Sequence, residues 1–451
     1  MMMKIIKGSA LKESFFNYKD TEEIPVINKI LKDVRQNGDD AIKRYTLKFD
    51  GVRLSKMRVA DSEIKDAYKK VDPKIVSALK YAAENIRKFA RKQSAQFKDF
   101  EIETAPGVFA GQKVIPIERV GIYVPGGKFP LASTLLMCAI PANVASVPEI
   151  IVCSPPSYTG SIHPALARIP DGTSILGQSR RGKGWVHPAI LIASDIAGVN
   201  EIYKVGGVQA IGAMAYGTRT IKRVDKIVGP GNKYVASAKK EVFGYVGIDF
   251  IAGPSEVIII ADETANPDYI AADLLAQSEH DRDALPILIT TSAKLAERVN
   301  KAVGLQLQKL KTKDTAKVSI SNNGRIIIVN NMDEAINITN KKAPEHLELQ
   351  VKNPERYTAR LRNYGSLFIG KYSPVVLGDY NSGLNHTLPT NTTARYTGGL
   401  GVKDFLKIQT TLRVTKDGLP AIGTKAKTIA DAEGLDGHAK SIAVRCSGYK
   451  D

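Results

Sequence analysis

Apolar residues recur at helical spacing along the first part of the chain, from about residue 20 to residue 95. One apolar stripe runs from Ile24 to Leu31, and a second runs from Ile75 to Ala82. Apolar residues three and four positions apart lie on one face of a helix and can bury that face. The pattern therefore predicts a helical N-terminal arm, to which we assign residues 1–115.

A different pattern begins near residue 117, where short apolar runs end in glycine or proline turns and helical stretches follow. The runs are VGIYVPGG, EIIVCSPP, GVNEIYKVGG and VDKIVGPGN. Regular alternation of strand, turn and helix is typical of βαβ units, whose strands form a parallel sheet. We therefore predict a first αβα domain at residues 116–248.

A second set of alternating elements begins near residue 250 with the apolar run SEVIIIAD. Asn266 and Pro267 then supply a helix N-cap and a proline at the first helical position. The runs LPILITT, GRIIIVN and GSLFIG continue the alternation. The fold class is therefore α/β, with a second αβα domain at residues 249–384 and a small helical C-terminal tail at residues 385–451.

One stretch interrupts the first αβα domain. The triplet His-Pro-Ala occurs at His163 and again at His187, and residues 163–186 show no clear periodicity. Connections between a strand and its following helix are usually short. We therefore expect an insertion that forms a surface excursion outside the functional site. The alternative is that Trp185, the only tryptophan, anchors the segment onto the protein.

The composition limits the class of protein. A length of 451 residues, with 43% hydrophobic and 24% charged residues, suggests two or three domains of an ordinary globular chain. No apolar run reaches about 18 residues and no signal-peptide pattern is present, so we expect no membrane association. Three cysteines without a CxxC pair favour a reducing cytoplasm over a disulfide scaffold.

The net charge of +18 is the composition's one unusual feature. A basic chain can bind nucleic acid or an anionic substrate. The lysines are scattered along the predicted helices, and no signature of a nucleic-acid-binding module occurs. We therefore interpret the charge as a basic surface and expect no nucleic-acid partner, with a nucleic-acid-binding protein as the alternative from another functional class.

Polar residues that could take part in catalysis or metal binding lie at the end of the helix predicted after Asn266, in DLLAQSEHD. Gln277 and His280 are three positions apart and lie on neighbouring positions of one helix face. A histidine in this place is either a hydrogen-bonded helix-end residue or a metal ligand. The sequence around it leaves both interpretations open.

A second candidate lies in KKAPEHLELQV, where apolar and polar residues alternate as in a strand. Glu345 and His346 are adjacent, so they serve one site only if the chain turns beside Pro344. They are then a carboxylate and an imidazole suited to acid–base catalysis. The alternative is an ordinary strand edge with two polar residues.

Two further histidines lie in polar segments near the C-terminus. The segment 377–390, LGDYNSGLNHTLPT, is predicted to be a loop and contains Asp379 and His386. In EGLDGHAK, His438 falls in the first turn of a predicted helix, where the helix dipole disfavours the imidazolium form. A neutral imidazole is the form that binds a metal. No G-x-G-x-x-G motif follows any strand, which argues against a standard dinucleotide site.

In these segments and in this order, the chain resembles the histidinol dehydrogenase family. The matching segments are RVGIYVPGG, KVGGVQAIGAMAYGT, VDKIVGPGNKYV, AGPSEVIIIADETANPDYIAADLLAQSEHD, APEHLEL, GDYNSGLNHTLPT and EGLDGHA. The resemblance implies two incomplete Rossmann-like αβα domains with an aldehyde-dehydrogenase-like fold, which agrees with the missing glycine motif. It also implies oxidation of L-histidinol to L-histidine through histidinaldehyde, with one Zn²⁺ per subunit and two NAD per turnover.

The resemblance assigns residues as well. The implied zinc ligands, which also hold the substrate, are Gln277, His280, Asp379 and His438, and His438 comes from the partner subunit of a homodimer with shared active sites. Glu345 and His346 match the acid–base pair, and His346 also contacts substrate. The other substrate-binding positions are Ser255, His386 and Glu433, and the NAD-binding positions are Tyr123, Gln209 and Asn232. Removing residues 163–186 restores the family's spacing.

Two rival enzymatic interpretations remain at this level. In the first, Cys138 or Cys153 forms a covalent intermediate with an aldehyde, although both lie in apolar stretches that favour buried structural cysteines. In the second, the chain is a related zinc- and NAD-dependent dehydrogenase of another polyol. His386 and Glu433 favour a substrate that carries an imidazole.

Overall fold

The computed structural model describes residues 3–18, 24–126, 130–156 and 184–447. The strands are β1 (Lys4–Lys7), β2 (Phe100–Ala105), β3 (Val108–Pro116), β4 (Arg119–Tyr123), β5 (Glu149–Cys153), β6 (Glu201–Tyr203), β7 (Lys226–Val228), β8 (Gly247–Ile248), β9 (Glu256–Ala261), β10 (Leu285–Thr290), β11 (Arg325–Ile328), β12 (His346–Gln350), β13 (Ser366–Ile369) and β14 (Leu406–Val414). None of the helices in these ranges is long and apolar enough to cross a membrane.

The helices alternate with these strands over most of the chain. They are α1 (Pro25–Asp50), α2 (Asp61–Lys70), α3 (Pro73–Ser94), α4 (Ala132–Val144), α5 (Pro188–Ala197), α6 (Gly207–Tyr216), α7 (Lys233–Val242), α8 (Pro267–Ser278), α9 (Ala293–Lys309), α10 (Lys313–Asn322), α11 (Met332–Lys342), α12 (Glu355–Thr358), α13 (Val375–Tyr380), α14 (Leu419–Ala432) and α15 (Asp436–Ser447). The predicted α/β class is confirmed.

The first αβα domain is built on a parallel sheet with the strand order β6-β5-β4-β7-β8. Successive strands run outward from β4 through β5 to β6, and then from β7 to β8 on the other side. The strand order therefore reverses between β4 and β7. In open parallel sheets, ligands bind in the crevice outside the carboxyl ends of the strands at such a point.

The second αβα domain is built on a six-stranded parallel sheet with the strand order β1-β11-β10-β9-β12-β13. Helices cover both faces, and the central strands are buried apolar runs, as expected for parallel strands. Every residue of β9 and of β12 is buried. These two strands lie side by side, with His346 in register with Val257.

The N-terminal arm and the C-terminal tail contain the predicted helices and also strands that the sequence analysis did not predict. β1 forms the edge of the second domain's sheet beside β11. β2, β3 and β14 form a separate antiparallel sheet in which β3 is central. The predicted domain boundaries stay predictions, but the arm is not wholly helical.

Residues 157–183 lie outside the described residues, and they include residues 163–183 of the predicted insertion. The last three residues of the insertion are described and packed. Gly184 and Val186 are buried, and a Cβ on Gly184 would lie 2.4 Å from Cγ1 of Val52. Lys70 Nζ lies 4.0 Å from the centre of the Trp185 ring. For these three residues the expectation of a surface excursion is wrong, and Trp185 does contact the protein.

Candidate active site

Glu345 and His346 come together at the amino end of β12. Ala343 adopts a left-handed conformation, with φ of 52°, and Pro344 follows it, so the chain turns just before the strand begins. Glu345 Oε2 consequently lies 3.5 Å from His346 Nδ1, and both side chains are buried. The structure thus supplies the turn that a shared acid–base site requires.

The backbone of Glu256, the first residue of β9, holds both side chains. His346 Nδ1 lies 3.0 Å from the carbonyl oxygen of Glu256. A carbonyl oxygen only accepts, so Nδ1 is the nitrogen that carries the proton and donates. The Glu256 N–H donates to Glu345 Oε2 at 2.8 Å. His346 Nε2 is therefore left as the basic nitrogen, and it is buried without a hydrogen-bond partner.

Asp379 lies on the open side of the His346 ring, with Oδ1 3.6 Å from Nε2. Burial lowers the pKa of His346, but the carboxylates of Glu345 and Asp379 outweigh it, and the pKa is raised well above its ordinary value. Burial raises the pKa of Asp379, yet His346, His386 and His280 lower it, and the net shift is downward. The site thus stabilises a proton on His346 and a charge on Asp379.

Asp379 does not lie in a loop as predicted, because residues 377–380 belong to the short helix α13. Gly378 obscured this helix in the sequence, since glycine is a poor helix former. The structure explains the glycine: a Cβ there would lie 2.6 Å from Cε1 of Phe368. At the start of α13, the N–H of Val375 donates to Oε1 of the buried Glu348 at 3.0 Å. Glu348 thereby connects β12 to the helix that carries Asp379.

Gln277 and His280 lie at the carboxyl end of α8, as predicted. Asn266 caps this helix through its side chain, which accepts from the N–H of Asp268 at 2.9 Å. Gln277 is buried in the last turn, and His280 is exposed just beyond it. His280 contributes to lowering the pKa of Asp379, so the two implied ligands His280 and Asp379 share one electrostatic environment.

His386 links the candidate site to the first αβα domain. Its Nδ1 donates to the carbonyl oxygen of Asp379 at 2.9 Å, and its Nε2 lies 2.7 Å from Thr134 Oγ1, in the first turn of α4. Burial lowers the pKa of His386, which favours the neutral ring. The segment after α13 therefore connects the amino edge of the second sheet to the carboxyl edge of the first.

Glu433 and His438 are not brought to this site within the chain. His438 lies in the first turn of α15, as predicted, but both residues are exposed. Over the described ranges, no group of three His, Cys, Asp or Glu side chains is placed to hold a metal ion. Ser255, the remaining substrate candidate, immediately precedes β9, and its carbonyl accepts from the N–H of Leu285 at 2.9 Å.

The three implied NAD contacts cluster at the carboxyl edge of the first sheet, around the reversal between β4 and β7. Tyr123 ends β4, and its hydroxyl accepts from the N–H of Gly207 at 3.1 Å. Gln209 lies in the first turn of α6, where it is buried and its Oε1 has no hydrogen-bond partner. Asn232 follows β7 and caps α7, accepting from the N–H groups of Tyr234 and Val235. Three separate segments thus converge on the crevice that parallel sheets use for ligands.

Cys138 and Cys153 do not lie in a reactive environment. Cys138 and Cys153 are fully buried, and burial raises the pKa of each thiol to about 12. A thiolate is the nucleophilic form, and burial in apolar surroundings suppresses it. Neither residue therefore supports the rival mechanism of a covalent cysteine intermediate.

Sequence reasoning missed residues that support the site rather than face it. Glu256, Lys342 and Glu348 are buried charged residues, and Glu256 directly precedes an apolar run. Charged side chains are seldom fully buried unless they are paired, so a carboxylate inside SEVIIIA was a usable signal. Thr134 carried no signal, because its contact with His386 joins residues that are far apart in sequence.

Comparison with known proteins connects this geometry to one family. A family model described as histidinol dehydrogenase matches residues 16–175 and 167–446 of the chain. The two matched ranges overlap within the stretch between the His-Pro-Ala triplets, so the family pattern is interrupted there, as the sequence indicated.

Individual relatives cover nearly the whole chain. Histidinol dehydrogenase of Methanocaldococcus jannaschii is 48% identical over 430 residues, which are 95% of this chain and 94% of the relative. That of Lactiplantibacillus plantarum is 45% identical over 426 residues, 94% and 93% of the two chains. The crystal structure of histidinol dehydrogenase from Elizabethkingia anophelis has a TM-score of 0.89 and 38% identity, covering 100% of this chain and 99% of that one. The likeness thus extends over both αβα domains.

Proposed function

Because the chain belongs to the histidinol dehydrogenase family, an oxidoreductase family, we propose that it oxidises L-histidinol to L-histidine with zinc and NAD. The reaction passes from the alcohol through histidinaldehyde to the carboxylate. Each oxidation removes two electrons, so two NAD are reduced in one full turnover. The observation that carries the proposal is the buried Glu345–His346 pair, which the backbone of Glu256 holds beside Asp379.

The residues around Asp379 fit a zinc ion. The proposed ligands are Gln277, His280 and Asp379 from one chain and His438 from a second subunit. Imidazole and carboxylate are usual zinc ligands, and the glutamine amide is the unusual member of the set. Among the described residues, no group of three His, Cys, Asp or Glu side chains is placed to hold a metal ion, and in this proposal the fourth ligand comes from the second subunit. When bound, zinc would orient the substrate through its nitrogen atoms and favour the charge that develops on its oxygen.

In the first oxidation, His346 acts as the general base from its neutral form, and the raised pKa makes that form a strong base. Nδ1 is committed to the Glu256 carbonyl, so Nε2 accepts the hydroxyl proton as hydride leaves the carbinol carbon. The neighbouring carboxylates of Glu345 and Asp379 stabilise the imidazolium that results. Hydride and proton leave together, so the alcohol becomes the aldehyde and no charge is left on the substrate.

In the second oxidation, Glu345 activates water. Its carboxylate takes a proton from the water as the water oxygen adds to the aldehyde carbon. The His346 imidazolium gives its proton to the carbonyl oxygen, which forms the hydrated aldehyde and returns His346 to its neutral form. His346 then accepts a hydroxyl proton again as a second hydride leaves the same carbon. Glu345 is suited to this step because one of its oxygens, Oε2, is fixed by the Glu256 N–H, which sets the direction of the carboxylate.

The nicotinamide cofactor would lie in the crevice at the carboxyl edge of the first sheet. Tyr123, Gln209 and Asn232 supply its contacts, and the buried unpaired Oε1 of Gln209 is an acceptor that a ligand could satisfy. The contact between Thr134 and His386 joins this edge to one of the proposed substrate residues, His386. Ser255 is the other proposed substrate residue of the same chain. Glu433, with His438, would complete substrate binding from the partner subunit of a homodimer.

The direct test is NADH formation from histidinol, measured with and without a chelator that removes zinc. We expect two NADH per histidine formed, loss of activity with the chelator, and recovery on adding Zn²⁺. Turnover of other polyols but not histidinol would instead identify a related dehydrogenase. Undiminished activity in protein shown to be metal-free would contradict the proposed zinc dependence. We propose the cytoplasm as the compartment, since three unpaired cysteines suit a reducing environment.

A further inference from the structure

The turn after β7 is packed directly against the end of β4. Gly229, the first residue of this turn, has φ of 108°, a conformation that favours glycine. A Cβ at Gly229 would lie 2.2 Å from the carbonyl oxygen of Tyr123. The turn leads through Gly231 to Asn232, the N-cap of α7. The position of Gly229 therefore decides where Asn232 stands relative to Tyr123.

A buried ion pair forms hydrogen bonds with both backbone groups of this glycine, its N–H and its carbonyl. Asp249 accepts from the N–H of Gly229 at 2.8 Å, and Lys239 donates to the carbonyl oxygen of Gly229 at 3.1 Å. Lys239 Nζ and the Asp249 carboxylate contact each other closely, and their side chains are 3% and 1% exposed. Asp249 also accepts from the N–H of Phe250 at 2.7 Å. Both the donor and the acceptor of the Gly229 backbone are thus fixed by one pair of charges.

Stability alone does not account for charges in this place. A buried ion pair is often no more stabilising than apolar side chains of the same volume, because both charges must be desolvated. What the pair supplies is direction: it orients the two peptide groups that flank Gly229, a residue that has no side chain of its own. It also ties that turn to residues 249–250, at the start of the connection from the first sheet to Ser255 and β9.

We propose that Lys239 and Asp249 are positioning residues for the nicotinamide cofactor. The pair holds the Gly229 turn against Tyr123, so that Tyr123 and Asn232 present a preformed crevice to the dinucleotide. The inference rests on the proposed function, since it takes the crevice to be the NAD site. It adds two residues that act through the backbone of Gly229 and contact no substrate.

The test is the substitution Lys239→Met, which keeps the length of the side chain and removes its charge and donors. A hydrogen bond to a charged group contributes enough that its loss corresponds to about tenfold to hundredfold in binding. We expect NADH binding, titrated by fluorescence without histidinol, to weaken by that factor. The KM for NAD should rise in parallel, while the KM for histidinol and the bound zinc stay within about threefold of wild type.

The neighbouring lysine is a matched control. Lys240 is exposed on the same helix, and Lys240→Met should bind NADH as the wild type does. If Lys239→Met does not fold, Asp249→Asn serves instead, since it keeps the shape of the side chain and removes the charge. A folded variant at either position that binds NADH as tightly as Lys240→Met would overturn the inference. So would an equal loss of NAD and histidinol affinity. Wild-type protein that binds no NADH would instead overturn the proposed cofactor.

Discussion

Replacing Lys342 by methionine should destabilise the protein strongly, because it leaves the buried carboxylate of Glu256, beside the acid–base pair, without its cationic partner. Lys342 Nζ lies 3.5 Å from Oε1 of Glu256, and the side chains are 5% and 4% exposed. The remaining partner of that carboxylate is the N–H of Asn391, at 3.2 Å, and Oε2 has none. Removing one partner of a buried pair costs about 3–5 kcal/mol.

The loss should depend on pH. Burial and the charge of Glu345 already raise the pKa of Glu256, whereas Lys342 lowers it, so the variant's folded-state pKa must be higher still. A carboxyl group with a raised folded-state pKa binds more protons when folded than when unfolded. Its stability contribution is therefore present below the unfolded-state pKa, near 4.5, and is lost as the pH rises through the folded-state value. Lys342→Met should accordingly lose more stability at pH 8 than at pH 6.

Urea unfolding followed by circular dichroism measures this loss, and the adjacent lysine provides the control. Lys341 pairs with Glu13 at 2.7 Å, but the side chains are 44% and 72% exposed, so Lys341→Met should cost less than about 1 kcal/mol. The double variant Glu256→Gln/Lys342→Met carries neither charge of this pair and should recover part of the loss. Equal urea midpoints for Lys342→Met and Lys341→Met at both pH values would refute the reasoning.

Further predictions concern the proposed chemistry. His280→Asn should lose bound zinc and activity together, measured by metal analysis and NADH formation, and full turnover in the metal-free variant would contradict the assignment. Glu345→Gln should slow aldehyde oxidation more than alcohol oxidation, whereas His346→Asn should slow both; equal losses in the two half-reactions of Glu345→Gln would oppose these roles. Mixed and refolded His280→Asn and His438→Asn chains should regain activity through one intact site per heterodimer. No recovery, with heterodimers shown to form, would place His438 in its own subunit's site.

The parallel sheets were predictable because their signal is local. Each central strand is an apolar run of a few residues, and a glycine, proline or polar turn leads from it to an amphipathic helix. The helix α8 is a clear case, since Asn266 and Pro267 mark its start in the sequence and the structure confirms both roles. The Glu345–His346 pair was found for a similar reason, as its residues are adjacent and next to a proline.

The support of the site was harder to predict, because it depends on contacts between distant segments. The backbone of Glu256 binds side chains that lie some ninety residues later, and no local pattern encodes such a bond. Helix α13 was mistaken for a loop because Gly378 lowers helix propensity, and only its packing against Phe368 explains that residue. In α13, tertiary packing overrode local propensity.

The small antiparallel sheet was missed although its strand β14 does alternate, in LKIQTTLRV. It pairs with β3, which lies far earlier in the chain, so its partner could not be inferred locally. Leu412, Ala110 and Ile102 stand opposite one another across the three strands, on one face. Leu412 and Ile102 are 70% and 56% exposed. An exposed apolar face of this kind is typical of an interface between chains. His438 and Glu433 in the same tail are also exposed, so the proposed site is not complete within one chain, and this agrees with the proposal of a homodimer with shared sites.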